Sequence, residues 1–291
     1  MDAWHERKML DEKFPFKFYI TDVTEFPPHW HEEIEIVYLL EETLQVGINN
    51  EVYTMEPRDI LIIGMGDIHY YLNNSNQCRR IILMFNPAIF EAFAEELTEK
   101  KLALPLIKYP EPKSELSKTN SVNQHHLIEE QILAIIKEFV HSKNGYQLVT
   151  KARLYDLLAL LIRLNLLEEY NPQEKSNHLK KLERLEQVFK FVKNNYSRPI
   201  TLEEAATAAN FSLYYFTRFF KDATGMTFIN YLNNYRISKA LRLLASTTDP
   251  ITEIAFKTGF ESIKTFNRVF KQIKACSPRQ YRNSMSNLST K

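Results

Sequence analysis

Histidine and carboxylate side chains cluster in the N-terminal part of this 291-residue chain, where His29, His31, Glu35 and His69 occur. The first three have odd numbers, so an extended strand places them on one face, because side chains alternate along a strand. Imidazole and carboxylate groups suit a divalent transition metal, and they also form hydrogen bonds with polar small molecules. Three interpretations stay open: a small-molecule pocket, a metal site, or histidines that bond backbone or water at a strand edge.

Aromatic residues beside these groups could belong to the same pocket. Trp30 lies between the first two histidines, Tyr38 follows three positions after Glu35, and Tyr70 directly follows His69. Aromatic rings pack on ligand rings, and a tyrosine hydroxyl can hydrogen-bond to a polar ligand such as a sugar. The predicted effector-binding residues are His29, Trp30, His31, Glu35, Tyr38, His69 and Tyr70.

A helix-turn-helix pattern begins at the capping box Thr201–Glu204, whose hydroxyl and carboxylate bond free N–H groups at a helix start. Ser212 can cap a second helix after a short turn, which predicts a helix-turn-helix over about 202–223. The pattern recurs after a long intervening helix, and Asp249-Pro250 supplies an N-cap and a first-turn proline for a second unit over about 250–273. This recurrence indicates internal duplication. Pairs separated by 50 residues are Ala205 and Ala255, Phe216 and Phe266, Arg218 and Arg268, Phe220 and Phe270, Lys221 and Lys271, and Tyr231 and Tyr281.

Short strands must position the N-terminal histidines. Apolar or alternating runs broken by turn residues predict strands near Ile34–Leu40, Leu44–Ile48, Glu51–Met55, Ile60–Ile63 and Arg80–Phe85. Their spacing is typical of an antiparallel sandwich or barrel. A helix is expected over 87–101 and an exposed loop over 108–123.

Apolar residues at helical spacing predict two further helices over about 126–141 and 148–169. Their apolar stripes are wide, so one face could meet a second subunit, or both helices could simply cover the β domain. Residues 171–181, which include Pro172, are predicted to form a linker, and residues 284–291 a disordered tail.

The net charge of +1 conceals a strong asymmetry. Residues 1–179 contain 18 Lys and Arg against 28 Asp and Glu, whereas residues 180–291 contain 19 against 8. A basic domain can neutralise phosphates, although two solvated faces of unequal charge are an alternative. The sequence has no apolar run of about 20 residues and no signal-peptide pattern, so we expect a cytoplasmic protein with no membrane partner. Isolated Cys78 and Cys276 exclude a disulfide framework.

About a hundred C-terminal residues carry a specific set of motifs. They are Ile200–Ala205, Phe219–Lys221, Thr224–Phe228, Tyr231-Leu232, Arg236, Ala240, Leu243-Leu244, Ile254-Ala255, Gly259-Phe260, Phe266–Lys271 and Ser277–Arg282. With these motifs the chain resembles the AraC/XylS-type transcription regulators. Ala275 departs from the family pattern, which usually has glycine at this position. The alanine could tighten this helix end but should not abolish DNA binding.

The resemblance implies two recognition helices in successive major grooves on one face of DNA, about 10 bp apart. Arg can bond guanine, Asn can bond adenine, and Ile can contact a thymine methyl group. Arg218 and Arg268 could instead hold phosphates or carboxylates of their own helix. Matched by motif position, the DNA-binding residues are Tyr214, Thr217, Arg218, Lys221, Ile263, Lys264, Asn267 and Arg268.

The N-terminal pattern resembles the cupin barrel, whose metal-binding members use a His-x-His, a nearby Glu and a later His. Arg58 stands where cupins commonly have glycine, and Glu41-Glu42 occupies a turn that is usually glycine-rich. Cupins fused to this DNA-binding domain resemble effector pockets rather than enzymes. The resemblance therefore implies a small-molecule effector, with a sugar as the first choice, and neither catalytic residues nor a cofactor.

Together these features predict a two-domain α+β protein. Residues 1–170 are expected to form a cupin-like antiparallel β-barrel with a helical dimerisation segment, and residues 182–283 an all-α double helix-turn-helix domain. The expected function is sequence-specific transcription regulation under the control of an effector, and the family resemblance favours activation. The expected partners are promoter DNA, a second copy of the chain and RNA polymerase. The alternatives are a metal-dependent cupin enzyme and a nonspecific DNA binder that acts through charge alone.

Overall fold

The structure, a computed structural model, describes residues 10–11, 13–23, 26–72, 78–110 and 120–288. The side chains of residues 120–123 and 285–288 lie outside this description. The chain divides into two compact units, residues 1–178 and 179–291. None of the described helices combines the length and apolar character that crossing a bilayer requires.

Strands of the first unit form two main antiparallel sheets. Strands β1 to β11 span Phe16–Thr21, Phe26–His29, Ile34–Leu39, Leu44–Ile48, Glu51–Met55, Ile60–Ile63, His69–Leu72, Arg80–Phe85, Lys100–Leu102, Leu106–Ile107 and Leu167–Glu169. One sheet has the order β1-β8-β3-β6-β10, the other β2-β7-β4-β5, and β9 pairs with β11. The predicted antiparallel β domain is therefore confirmed.

The alternation of side chains along β3 determines which residues face the interior. Val37 and Leu39 pack against Leu44 and Val46 of the other sheet, so the space between the sheets contains an apolar core. The even-numbered residue Ile36 belongs to a separate core, which the sheet forms with helices. Residues of β3 with odd numbers, including Glu35, consequently share the face that looks into the space between the sheets.

Helices cover the other face of the five-stranded sheet. A 3-10 helix (Pro87–Phe93) leads into α1 (Ala94–Thr98), and α2 (Asn120–His141) is followed by α3 (Tyr146–Arg163). Residues of α2 and α3 such as Ile132 pack with the sheet in one core. Part of the predicted 108–123 loop, residues 111–119, lies outside the described residues. Residues 120–123 of that predicted loop are helical, so α2 begins earlier than the expected start at residue 126.

Two predicted helices are shorter than expected. The helix expected over 87–101 ends at Thr98, and Lys100–Leu102 forms a strand instead. The helix expected to reach residue 169 ends at Arg163, because Asn165 has a left-handed backbone with φ 54°. Leu167–Glu169 then pairs with Lys100–Leu102, which gives both segments backbone partners that a longer helix would not offer.

The segment predicted as an interdomain linker, residues 171–181, is helical from Pro172 onward. Helix α4 spans Pro172–Asn195, and the boundary between the two units falls within it, after His178. The Asn171 side chain accepts a hydrogen bond from the Gln173 backbone N–H at 2.9 Å, and proline is favourable at a first helical position. The missing apolar stripe suggested a linker, but the capping residues and good helix formers favour a helix.

The second unit is helical throughout its described part. Helices α5 to α10 span Leu202–Ala208, Leu213–Thr224, Phe228–Ser246, Ile251–Lys257, Ile263–Lys274 and Pro278–Leu288. The predicted capping box at Thr201 is present. Helix α8 begins one residue later than expected, with Pro250 as N-cap, because the Asp249 carboxylate bonds Lys257 instead. Residues 284–288 of the predicted disordered tail are helical, and residues 289–291 lie outside the described residues.

Helix α7 connects the two helix-turn-helix units by packing on both. Phe228 and Tyr231 in its first half contact Phe220 of α6, whereas Ala240 in its second half packs in one core with Phe270 of α9. The single central helix α7 therefore packs against both α6 and α9.

Arg236 of α7 also fixes the end of α4 within this unit. Its guanidinium donates hydrogen bonds to the carbonyl oxygens of Tyr196 and Arg198 at 2.9 and 2.8 Å. Gly259, with φ +86°, lies so close that a Cβ there would come within 2.0 Å of the Tyr196 oxygen. The turn of the second helix-turn-helix therefore requires glycine at this position.

Candidate effector pocket and DNA-binding face

A cavity of about 320 Å³ opens between the two sheets of the first unit. It is lined from both sides, because β1, β3 and β8 belong to one sheet and β2 and β7 to the other. Its polar lining residues are Lys17, Thr21, His29, Glu35, Tyr71 and Arg80, and its apolar or aromatic ones include Tyr19, Phe26, Ile82 and Met84. A partly apolar cavity with a few converging polar groups is typical of a small-molecule site.

Three histidines are oriented alike beside this cavity. The Nδ1 atoms of His29, His31 and His69 each lie 2.9–3.0 Å from a backbone carbonyl oxygen two residues away. Because a carbonyl only accepts, Nδ1 carries the proton in each ring. The rings of His29 and His69 have centroids 4.0 Å apart, and His31 Nε2 lies 3.2 Å from Glu35 Oε2.

The electrostatics of the cluster centre on the buried Glu35. Burial opposes ionisation of its carboxyl, but the hydrogen bond with His31 and the nearby imidazole of His69 outweigh this and hold the pKa of Glu35 well below its usual range. Burial also opposes protonation of His31, yet the hydrogen bond and charge of Glu35 raise the pKa of His31. For His29, burial and the neighbouring imidazoles lower the pKa strongly. Glu35 and His31 therefore favour each other's charged form, whereas the surroundings of His29 favour its neutral form.

The same residues fit a divalent transition metal. Ligand atoms of His29, His31 and His69 lie within 4.8 Å of one another, and the buried Nε2 of His69 has no hydrogen-bond partner. Backbone carbonyls on the Nδ1 atoms are the support that metal-binding histidines commonly have. Glu35 could supply a fourth ligand.

A second group of possible ligands occurs on α2, where ligand atoms of His125, His126 and Glu129 lie within 4.8 Å of one another. The Glu129 carboxylate, however, already accepts hydrogen bonds from Arg58 and Tyr38, the latter at 2.7 Å. This group therefore has less free coordinating capacity than the histidine cluster.

The predicted effector-binding residues do not all line the cavity. His29 and Glu35 line the cavity, and His31 and His69 contact them without lining it. Tyr38 lies on the other face of β3, where it packs in the helix-side core. Buried Tyr70 packs over Gly47, since a Cβ on that glycine would meet its ring at 2.0 Å. Trp30 is buried and is not among the lining residues.

Sequence reasoning missed several residues that line the cavity. Tyr71 donates a hydrogen bond to Glu35 Oε1 at 2.5 Å, and strand parity could have identified it, because it lies two positions from His69 on β7. Arg80 and Lys17 are also lining residues. A charged residue at either end of an apolar run is usually solvent-exposed, so the sequence gives little sign that these two face inward.

Helices α6 and α9 present matched exposed faces in the second unit. Ser212 and Ser262 cap them through hydrogen bonds to the backbone N–H groups of Tyr215 and Thr265. The spacing i, i+3, i+4, i+7 puts the predicted DNA-binding residues of α6 on one side, and Lys264, Asn267 and Arg268 of α9 follow the same spacing. Ile263 lies one position before that set and packs against the core. All of the predicted DNA-binding residues are exposed except the half-buried Ile263, and the exposed set is Tyr214, Thr217, Arg218 and Lys221 on α6 and Lys264, Asn267 and Arg268 on α9.

Lys271 belongs to the same face and was not predicted. It is exposed on α9 and is the counterpart of Lys221 at the offset of 50, which was the available signal. Arg218 Nε lies 3.6 Å from Asp222 Oδ2, with both side chains largely exposed, so this weak pair leaves the guanidinium accessible.

Comparisons with known proteins agree with these two regions. A model of the AraC-like ligand binding domain matches residues 19–158, and a helix-turn-helix domain model matches residues 205–284. The HTH-type transcriptional activator RhaR of Mannheimia succiniciproducens is 24% identical over 258 residues, covering 89% of this chain and 87% of that protein. RhaS of an Enterobacter species is 27% identical over 259 residues, covering 88% and 87%.

A solved structure, ToxT from Vibrio cholerae, is 13% identical with a TM-score of 0.45, covering 93% of this chain and 98% of that one. The two domain matches are adjacent in the order that the sequence motifs predicted, and together they cover well over half of the chain. The chain therefore belongs to the AraC/XylS-type transcription regulators, as a DNA-binding regulator with an N-terminal ligand-binding domain.

Proposed function

We propose that this regulator is a cytoplasmic transcription activator that responds to a small sugar-like effector in the cavity between its sheets. The observation that carries the proposal is the pair of exposed polar faces on α6 and α9. The two faces are offset by 50 residues in sequence, and both helices pack on the central helix α7. Effector binding would change promoter occupancy or contact with RNA polymerase. The names of the activators RhaR and RhaS favour activation.

The chemistry of the cavity supports a polar ring-shaped effector. Tyr19 and Phe26 offer aromatic surfaces, and His29 and Glu35 offer polar atoms to hydroxyl groups. Regulation requires that the effector bind one arrangement of the protein more tightly than the other, because equal affinity would shift no population.

Exposed apolar residues on the two long helices of the first unit support a homodimer. Leu133 and Val140 of α2 are seven positions apart, so they share one helix face, and they are 46% and 62% exposed. Leu148 at the start of α3 is 74% exposed. A second copy would remove these side chains from water.

Selection of bound fragments from random DNA by the full-length protein, with and without a panel of sugars, tests this function. We expect a long site spanning two successive major grooves, with preference over other DNA of roughly 10³-fold or more, and enrichment that one sugar alters. Steep salt dependence without sequence preference would contradict the proposal and favour a nonspecific binder.

A metal-dependent enzyme is the rival function, favoured by the convergence of three histidine side chains and the unpartnered His69 Nε2. Metal analysis of protein purified without chelator separates the two. Stoichiometric iron, manganese or zinc that is lost in the His31→Ala variant would support a metal site and justify a search for catalysis. A metal-free protein that still selects DNA would eliminate this rival.

A further inference from the structure

Arg80 is a fully buried cation at the wall of the cavity, 1% exposed. One guanidinium nitrogen donates to the Val23 carbonyl oxygen at 2.7 Å and another lies 3.3 Å from Cys78 Sγ. The guanidinium carbon lies 4.3 Å from the centroid of the Tyr71 ring. Its Nε has no hydrogen-bond partner, so the side chain has donor capacity left over.

The charge of Arg80 lacks an acidic partner. Glu35 is the one carboxylate among the described residues that line the cavity, and its two oxygens are engaged by Tyr71 and by His31. Among the described residues no carboxylate forms an ion pair with Arg80 or with Lys17. A buried charge without a counter-charge is costly, so an occupant of the cavity that carried negative charge would gain from this wall.

Lys17 adds a second cation to the same wall. In the antiparallel register of β1 and β8, Lys17 pairs with Met84 and Thr21 pairs with Arg80, which places Lys17 and Arg80 on one face of the sheet. That face also carries Tyr19, whose ring centroid lies 5.1 Å from Lys17 Nζ. An ammonium and a guanidinium therefore flank an aromatic surface.

We propose that the effector is an anionic sugar derivative, whose acidic group binds Arg80 and Lys17 while its ring packs on Tyr19. A uronic acid and a sugar phosphate share this chemistry. The inference rests on the proposed function only in that the cavity holds the effector. Guanidinium groups bond carboxylate and phosphate oxygens in pairs, which favours either acid over a neutral sugar.

Calorimetric titration of the full-length protein tests the proposal with D-glucuronate, D-galacturonate and glucose 6-phosphate, each beside its neutral parent sugar. At least one acid should bind saturably below about 10 mM and at least about tenfold more tightly than its parent. Comparing the affinities for the two uronates with the affinity for glucose 6-phosphate shows whether the site prefers a carboxylate or a phosphate. Equal binding of parent and acid, or no binding of any of the three acids, would overturn the proposal.

Variants locate the binding site on this wall. Lys17→Gln, which changes a half-exposed residue, should lower the affinity for the acid about tenfold or more. Arg80→Lys should retain more affinity for the acid than Arg80→Gln. Arg79→Gln is the matched control, because Arg79 is exposed and pairs with Glu41 at 3.7 Å. An unchanged affinity in Lys17→Gln would refute the site even if the Arg80 variants failed to fold.

DNA selection in parallel separates this inference from the proposed function. If the protein enriches DNA fragments but binds no acid, the proposed regulatory function stands and the proposed anionic effector is refuted. If the protein binds an acid at Lys17 but enriches no DNA sequence, the proposed anion site stands and the proposed regulatory function is refuted.

Discussion

Ala275 carries backbone strain that its counterpart in the first helix-turn-helix avoids. It ends α9 with φ 53°, in the left-handed region, whereas Gly225 ends α6 at the matching position with φ 71°. The left-handed conformation costs a residue with a Cβ about 1–2 kcal/mol, and glycine escapes this cost. The family's usual glycine thus has a physical reason at this position.

Replacing Ala275 with glycine should raise the free energy of unfolding of the second unit by about 1 kcal/mol. Urea unfolding of the full-length protein, followed by helical circular dichroism, measures the change. Ala245→Gly is the control, since Ala245 is an exposed residue in the last turn of α7 and its replacement should lower the free energy of unfolding by at most about 0.5–1 kcal/mol. A loss of stability in both variants would contradict the strain assigned to Ala275.

Strand parity predicted His29, His31 and Glu35 on one face of a single strand, and this was wrong. His29 ends β2 and Glu35 lies on β3 of the other sheet, so these two residues line the cavity from opposite sheets. Applied to His69, parity would have selected Tyr71 rather than Tyr70, because the side chain two positions away shares its face. Parity cannot say which face is interior. Arg80 shares its face of β8 with Ile82 and Met84, and all three line the cavity.

At the scale of elements, an ion pair connects the β5–β6 turn to α2. Arg58 donates hydrogen bonds to both carboxylate oxygens of Glu129, at 3.0 and 2.7 Å, and Tyr38 of β3 donates to one of them. Arg58 also lies over the Tyr109 ring, 3.9 Å from its centroid. Arg58 has φ 74° where cupins commonly have glycine, so this ion pair accounts for the departure from the cupin pattern.

Glu129→Gln should lower the free energy of unfolding by about 1–3 kcal/mol at neutral pH, because Arg58 and Tyr38 lose a charged acceptor. Burial alone would raise the pKa of Glu129, but the hydrogen bond from Arg58 outweighs it and the pKa is lowered. A lowered folded pKa means that the stabilisation is present above the unfolded pKa and is lost as pH falls through the folded one.

Urea unfolding of the wild type and of this variant at a series of pH values measures the effect. The difference between them should shrink as the pH falls below the ordinary range of a glutamic acid. Glu130→Gln is the matched control, because Glu130 is exposed on the same helix and its loss should change stability by less than about 0.5 kcal/mol. A pH-independent difference would contradict the ionic origin.

Local sequence patterns predicted some elements and missed others. The strands near Ile34–Leu39, Leu44–Ile48, Glu51–Met55, Ile60–Ile63 and Arg80–Phe85 follow from alternation and apolar runs. Helix α4 did not, since residues 171–177 lack the apolar stripe that periodicity detects, and its start depends on a single capping asparagine. The pairing of β9 with β11 joins segments far apart in sequence, which local patterns cannot reveal.

At the scale of the molecule, acidic and basic residues are divided between a ligand-binding and a DNA-binding domain. We expect Arg268→Ala to cost about 1–3 kcal/mol of specific binding and to relax preference at one base pair, if the guanidinium bonds a base. Binding measurements on a selected site and on its single-base variants check this. Lys190→Ala is the control, an exposed basic residue on α4 outside the recognition faces.

An equal loss of affinity on every DNA sequence tested would contradict base recognition by Arg268. It would assign the side chain to a phosphate, and the slope of affinity against salt concentration would then fall by about one unit.

The duplicated faces on α6 and α9 are similar in position but different in chemistry. Arg218 and Lys221 recur as Arg268 and Lys271, whereas Tyr214 and Thr217 are replaced by Lys264 and Asn267. One chain therefore has two chemically different recognition faces, connected in a fixed order. A DNA site that matches them has a polarity, and inverting that site would turn the whole regulator around relative to the gene beside it.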